Sequence, residues 1–137
     1  MLRNETRSRA RALQLLYAWE LQGHPPLAPV AAGVERLICP PPRVFEAAEA
    51  LAEGVVQGRA ALDGLAADAV EHWRLGRVGT VERNILRLGI LELRAGAVAP
   101  KTAIDEAVKL AHWFGGARAP AFVNGVLDRV ARTLGRL

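Results

Sequence analysis

The stretch Thr80–Gly96, TVERNILRLGILELRAG, constrains this chain more than any other. Val81, Ile85, Leu88 and Leu91 recur at helical spacing, and Leu86, Ile90 and Leu93 widen that stripe until little of the second half is polar. A helix that is apolar nearly all round is a buried helix, with other helices packed on several sides. Gly89 sits in its middle, where glycine costs about 1 kcal/mol relative to alanine; close approach of a neighbouring helix is the physical reason to expect. Thr80 is placed to cap the helix start, since its hydroxyl can accept from an orphan backbone N–H. Gly96 is placed to supply a left-handed stop. Glu82, Arg83, Asn84 and Arg87 leave one polar strip near the start. The pattern predicts the central helix of one small all-helical domain.

The remaining segments fit around it. A first helix is expected over 3–22, capped by Asn4, with Leu13, Leu16 and Tyr17 inward and Ala12, Leu15 and Trp19 broadening the face. Gly23 and Pro25-Pro26 should end it. A short helix over 29–38 would turn Val30, Val34, Leu37 and Ile38 inward before Pro40-Pro41-Pro42 forbids continuation. A third helix begins near Val44, and Gly54 and Gly58 predict a break near Gly58. A fourth follows at about 60–73, with Trp73 on its apolar side, and LGRVG at 75–79 reads as a turn. After the central helix, Thr102-Ala103-Ile104-Asp105 resembles a capping box for a helix to 114, stopped by Gly115-Gly116. A last helix starts near Pro120, well suited to a first-turn position, and runs to about Leu134. The total is about seven helices.

At 137 residues and 51% hydrophobic, the chain can bury a sizeable core as one domain, residues 1–137. No apolar run approaches the roughly 18–20 residues of a membrane span. The start MLRNETRSRARALQ has no apolar core behind its charges, so a cytoplasmic protein is expected. Cys39 is alone, and His24, His72 and His112 are scattered without carboxylates at ligand-like spacing, so neither a disulfide framework nor a metal site is expected. No glycine-rich phosphate loop or nucleophile elbow is present. The acid pairs Asp105-Glu106 and Asp63/Asp68 have nothing that would raise one pKa over the other. A binding module is expected, not an enzyme, with no cofactor.

Net charge is +4 and the pI about 10.2. Of the 18 basic side chains only Lys101 and Lys109 are not arginine. Arginine-rich coding explains much of that total, so its placement matters more. The first turns carry Arg3, Arg7, Arg9 and Arg11 against Glu5 alone, and Arg3, Arg7 and Arg11, spaced by four, share a helix face. Cations at a helix N-terminus oppose the macrodipole, a placement that suits an anionic partner.

VERNILRLGILEL, then P-x-x-AIDEAVKLAHWFG, then FVNGVLDRVA, in this order, resemble the NusB family of transcription antitermination factors. R-x-x-ALQLLYAWE at 9–20 is similar to the family's arginine-rich start, and LAEGVVQGRAALDGL at 51–65 to its middle section. The resemblance implies an all-α fold of two small packed helical bundles. It implies binding to boxA single-stranded RNA jointly with the small-subunit ribosomal protein that doubles as NusE. It also implies action in an RNA polymerase antitermination complex on ribosomal RNA operons. A homodimer that covers the basic arm is left open, as is a protein-interaction scaffold. Similar helical domains precede the catalytic part of some ribosomal RNA methyltransferases, a reading disfavoured by the absence of a cofactor-binding sequence here.

The resemblance puts RNA contacts on Arg7, Arg9, Tyr17, Glu82 and Phe122; Arg3 extends the basic arm, and Arg118 joins the expected set as a departure from the family pattern. Arginine can hold phosphate in bidentate fashion, and unpaired bases expose faces on which aromatic rings stack. Tyr17 and Phe122 could instead pack in the core. Glu82 could accept from a base amino group, pair with a partner cation, or sit solvated on the helix dipole. Asn124 and Asp128 are expected to hold the last helix by hydrogen bonds, and Phe114 to pack at the bundle's edge. Gly115–Ala119 reads GGARA where relatives often carry acidic and Ser/Thr residues, so Arg118 adds a cation near the RNA path.

Overall fold

A computed structural model of the chain describes residues 2–70 and 78–137. Among these are six α-helices: α1 (Asn4–Leu21), α2 (Leu27–Ile38), α3 (Pro42–Ala69), α4 (Thr80–Ala95), α5 (Pro100–Phe114) and α6 (Ala119–Thr133). No described segment is a strand, in keeping with the all-helical pattern expected. The described helices include none long and apolar enough to cross a membrane. His72, Trp73 and the first three residues of the LGRVG turn lie outside the described residues. The chain divides into two compact units, Met1–Gln57 and Gly58–Leu137.

The count of six, where about seven were expected, comes from Gly58. Instead of breaking there, α3 continues for 28 residues through both Gly54 and Gly58. Each glycine weakens a helix by about 1 kcal/mol, but buried Val44, Ala48, Ala52, Val55, Leu62 and Ala66 keep an apolar stripe running the length of the helix. Packing along such a stripe outweighs two local propensity penalties. Gly58 nonetheless marks where one unit gives way to the next.

In the first unit α1 packs on α2. Ser8, itself buried, donates its hydroxyl to the Val44 carbonyl at 3.1 Å, tying α1 to the first turn of α3. Gly23 (φ +81°) and His24 (φ +63°) reverse the chain after α1. The His24 ring stacks on Trp19 at 4.1 Å, and the Trp19 indole N–H donates to the Pro25 carbonyl at 2.8 Å. Helix α2 starts two residues before its expected place and buries Leu27, Val30 and Ala31. Leu37, expected inward, falls on the last turn beyond that stripe and is 88% exposed.

In the second unit α4, α5 and α6 pack on one another. Every residue from Asn84 to Ile90 is buried, as is Leu93, so α4 is enclosed as its sequence demands. A methyl group at Gly89 would stand 2.6 Å from Leu127 Cδ1, so the glycine admits α6. Gly96 ends α4 in the left-handed conformation at φ +72°. The Arg136 guanidinium donates to the carbonyls of Leu93 (3.1 Å) and Val98 (3.3 Å), satisfying groups that the helix end leaves open. The expected side-chain caps are absent at three starts. Arg3, Gly79 and Ala99 hold the cap positions of α1, α4 and α5, and Asn4 and Thr80 become the first helical residues.

The expected polar strip of α4 is mostly internal. Arg87 grips Asp63 of α3 in a two-pronged ion pair, Nε–Oδ1 2.7 Å and Nη2–Oδ2 2.9 Å. Its Nη1 donates to Asn84 Oδ1 at 3.0 Å, and Asn84 Nδ2 donates to the Thr80 carbonyl at 2.9 Å. Asp63 is therefore a structural counter-ion. Paired guanidinium and carboxylate in this geometry keep the buried charge satisfied.

Candidate nucleic-acid interface

The residues proposed from sequence fall on two structural settings, one in each unit. Helix α1 carries Arg3, Arg7, Arg9 and Tyr17. Arg3 occupies the cap position in extended conformation, without a side-chain cap, and is exposed. Arg7 and Arg11 are half-buried along the same face, and Arg11 Nη1 donates to Gln14 Oε1 at 2.7 Å. Arg9 parts from this group. Two helical residues beyond Arg7 it has rotated by about 200°, which turns it inward to 7% exposure, where it interacts with other protein groups. Thr6 and Ser8 are buried as well. Tyr17, read from sequence as either core or base-facing, is 41% exposed. It stands about 15 Å further along the axis than Arg7 at 1.5 Å per residue.

The second unit brings Glu82, Arg118 and Phe122 to one open groove of about 500 Å³. Val78 and Gly79 form its rim before α4, and Gly116, Ala117 and Ala119 its rim between α5 and α6. Its surface is mainly apolar. Arg118 is exposed, Phe122 is half-buried, and the Phe122 N–H donates to the Arg118 carbonyl at 3.2 Å as α6 begins. Such a groove offers a ring face and a cation side by side, the pair of groups that an unstacked nucleotide can use.

Glu82 stands in the first turn of α4, where a carboxylate is favoured by the helix dipole. It is not simply solvated there. Its Oε1 accepts from the Gly116 N–H at 3.1 Å, a bond spanning 34 residues. Gly115 and Gly116 stop α5 as expected, and a methyl at Gly115 would collide with Ala119 Cβ (2.6 Å) and the Ala111 carbonyl (2.9 Å). Sequence reasoning passed over Gly79 and Gly116 as site residues. The signal was a glycine immediately before Thr80 and a glycine pair immediately before a cationic loop.

Two further expectations resolve on the last helices. Asp128 pairs with Arg132 one turn along α6 (3.0 Å), which raises the Arg132 pKa through that hydrogen bond and the adjacent charge. Asn124 is exposed. Phe114 is exposed at the end of α5 and meets Trp113 edge-on at 6.3 Å.

An all-α chain with a cation-bearing helix start and a ring-and-arginine groove has the attributes of a nucleic-acid-binding helical protein. The NusB family model matches residues 6–132, and the chain belongs to the NusB family. The transcription antitermination protein NusB of Sorangium cellulosum is 43% identical over 131 residues, covering 94% of this chain and 92% of that protein. The counterpart from Anaeromyxobacter dehalogenans is 38% identical over 142 residues, covering 98% and 94%. A chain in the crystal structure of antitermination factors NusB and NusE in complex with dsRNA superposes with a TM-score of 0.83 at 29% identity, covering 97% of this chain and 99% of that one. These relatives are transcription antitermination proteins, and the all-α fold of this chain superposes on theirs.

Proposed function

We propose that this chain is an antitermination factor that binds boxA-type single-stranded RNA together with the NusE small-subunit ribosomal protein. In this reading it works in the cytoplasm within an RNA polymerase antitermination complex and promotes read-through of ribosomal RNA operons. The observation that carries the proposal is near-full-length likeness to a chain solved alongside NusE and RNA. Arg3, Arg7 and Arg118 neutralise phosphates, and Tyr17 and Phe122 offer faces to unstacked bases. Arg9, being buried, supports the arm from inside. Glu82 edges the groove.

A titration with boxA RNA, scrambled RNA and a duplex of boxA, each with and without NusE at two salt concentrations, tests this. The expected order is boxA above scrambled, tightest with NusE present. Neutralising three or four phosphates gives a log–log salt slope of about −2 to −3 for a single strand. Preference for the duplex would move the substrate class to double-stranded RNA. A flat salt response, with Arg3 and Arg7 protected in a dimer, would favour the scaffold reading.

A further inference from the structure

Glu82 is seated between two glycines from separate loops. Its Oε2 lies 2.5 Å from where a methyl on Gly79 would stand, and its Oε1 is 3.3 Å from the corresponding position on Gly115. That same Oε1 accepts the Gly116 N–H at 3.1 Å. Gly116 in turn offers its carbonyl to the Ala119 N–H at 3.0 Å, closing a four-residue turn with Ala117 and Arg118 at its tip. The next link is the Arg118 carbonyl, which accepts from the Phe122 N–H. One carboxylate on α4 is thus the outer anchor of a chain of hydrogen bonds that ends on the two groove residues best suited to RNA.

We propose that Glu82 is a positioning residue: it fixes the Gly116–Ala119 turn and thereby the presentation of Arg118 and Phe122. The presentation role rests on the RNA-binding reading above; the clamp rests on geometry alone. The Gly116 N–H on Oε1 ties the carboxylate to the turn, whatever its remaining acceptor sites meet. The glycines have a matching role. Neither Gly79 nor Gly115 needs a left-handed backbone, with φ of −59° and −93°. Gly79 supplies room for the carboxylate, and Gly115 supplies room chiefly for Ala119 and the Ala111 carbonyl.

Four variants of the full chain test this: Glu82→Ala, Glu82→Gln, Gly79→Ala and Arg118→Ala, with Glu82→Ala also made in the Arg118→Ala background. Helicity and thermal melts verify folding. The first readout is amide hydrogen exchange at Gly116 in the free protein. Glu82→Ala and Gly79→Ala should speed it by about threefold or more, and Glu82→Gln, which keeps an acceptor, by less. Gly79→Ala is informative because it removes no polar group and only displaces the carboxylate. The second readout is affinity for boxA RNA with NusE present. Loss of the clamp should weaken binding about two- to tenfold, the span of one net hydrogen bond. In the Arg118→Ala background the Glu82→Ala effect should shrink below about twofold, because both substitutions act through one turn.

An unchanged Gly116 amide in Glu82→Ala overturns the clamp. Full additivity with Arg118→Ala, or equal or tighter RNA binding in Glu82→Ala, overturns the presentation role. Should the unaltered protein bind no RNA, the functional reading falls and takes the presentation role with it, while the Gly116 amide still decides the clamp.

Discussion

The two units solve different problems with the same helical material. Unit Gly58–Leu137 is built for definition. Its central helix is enclosed, a part-buried Arg87–Asp63 pair ties α3 to α4, and Gly89 lets Leu127 sit against the backbone. The first unit places its chemistry on a helix start that lacks a side-chain cap and carries cations where the macrodipole disfavours them. Its α1 is secured further along, by Ser8 on Val44 and by Trp19 on Pro25. The contrast teaches that the cations of α1 gather at an uncapped helix start, while Phe122 and Arg118 sit on a framework of packed helices.

Substitutions should separate the two regimes, and the largest effect belongs to the framework. Asp63→Ala removes the two-pronged carboxylate partner of the Arg87 guanidinium, which is 5% exposed. The expected loss is about 2–4 kcal/mol in denaturant unfolding, somewhat under a fully buried pair because Asp63 is partly exposed. A loss below about 1 kcal/mol would remove the claim that this pair defines the unit. Gly89→Ala comes next. The added methyl pushes on fully buried Leu127, costing about 1–3 kcal/mol by overpacking, set against about 1 kcal/mol gained in helix propensity. A net destabilisation of about 1 kcal/mol is expected, and a stabilised variant would mean that α6 yields easily.

In the first unit Ser8→Ala should cost about 1 kcal/mol, the net value of one buried hydrogen bond. Thermal unfolding would show it as a modest downward shift. Joint replacement of Arg3 and Arg7 by alanine has the smallest effect on folding and the sharpest on recognition. Stability should hold or rise by a few tenths of a kcal/mol, because two cations leave a helix N-terminus. The RNA salt slope should become shallower by about 1 to 1.5, the share of two phosphates. A destabilised protein with an unchanged slope would reverse the roles assigned to the two units.

Much of this was legible in the chain. Helical period, the Gly23 and Gly115-Gly116 stops and the close approach at Gly89 are local or nearly local properties, and the structure carries all of them. Glycine was over-read at Gly58, where a long apolar stripe outweighs local propensity. Leu37 was over-read too, since hydrophobicity says nothing about where the packing partner ends. For the candidate site the sequence named residues but not their burial: Arg3 and Tyr17 are exposed, Arg7 and Phe122 half-buried, and Arg9 is buried because a helix turns residues two apart to opposite sides.

By itself, the sequence determined an all-helical chain with one enclosed helix, cations at its start and membership of a known family, because periodicity and turn chemistry act over a few residues. Tertiary structure alone decided that Asp63 answers Arg87 across 24 residues and that Glu82 holds Gly116 across 34. A carboxylate's partner depends on which donors the packed helices bring within hydrogen-bond reach, and one-dimensional spacing carries no record of that distance.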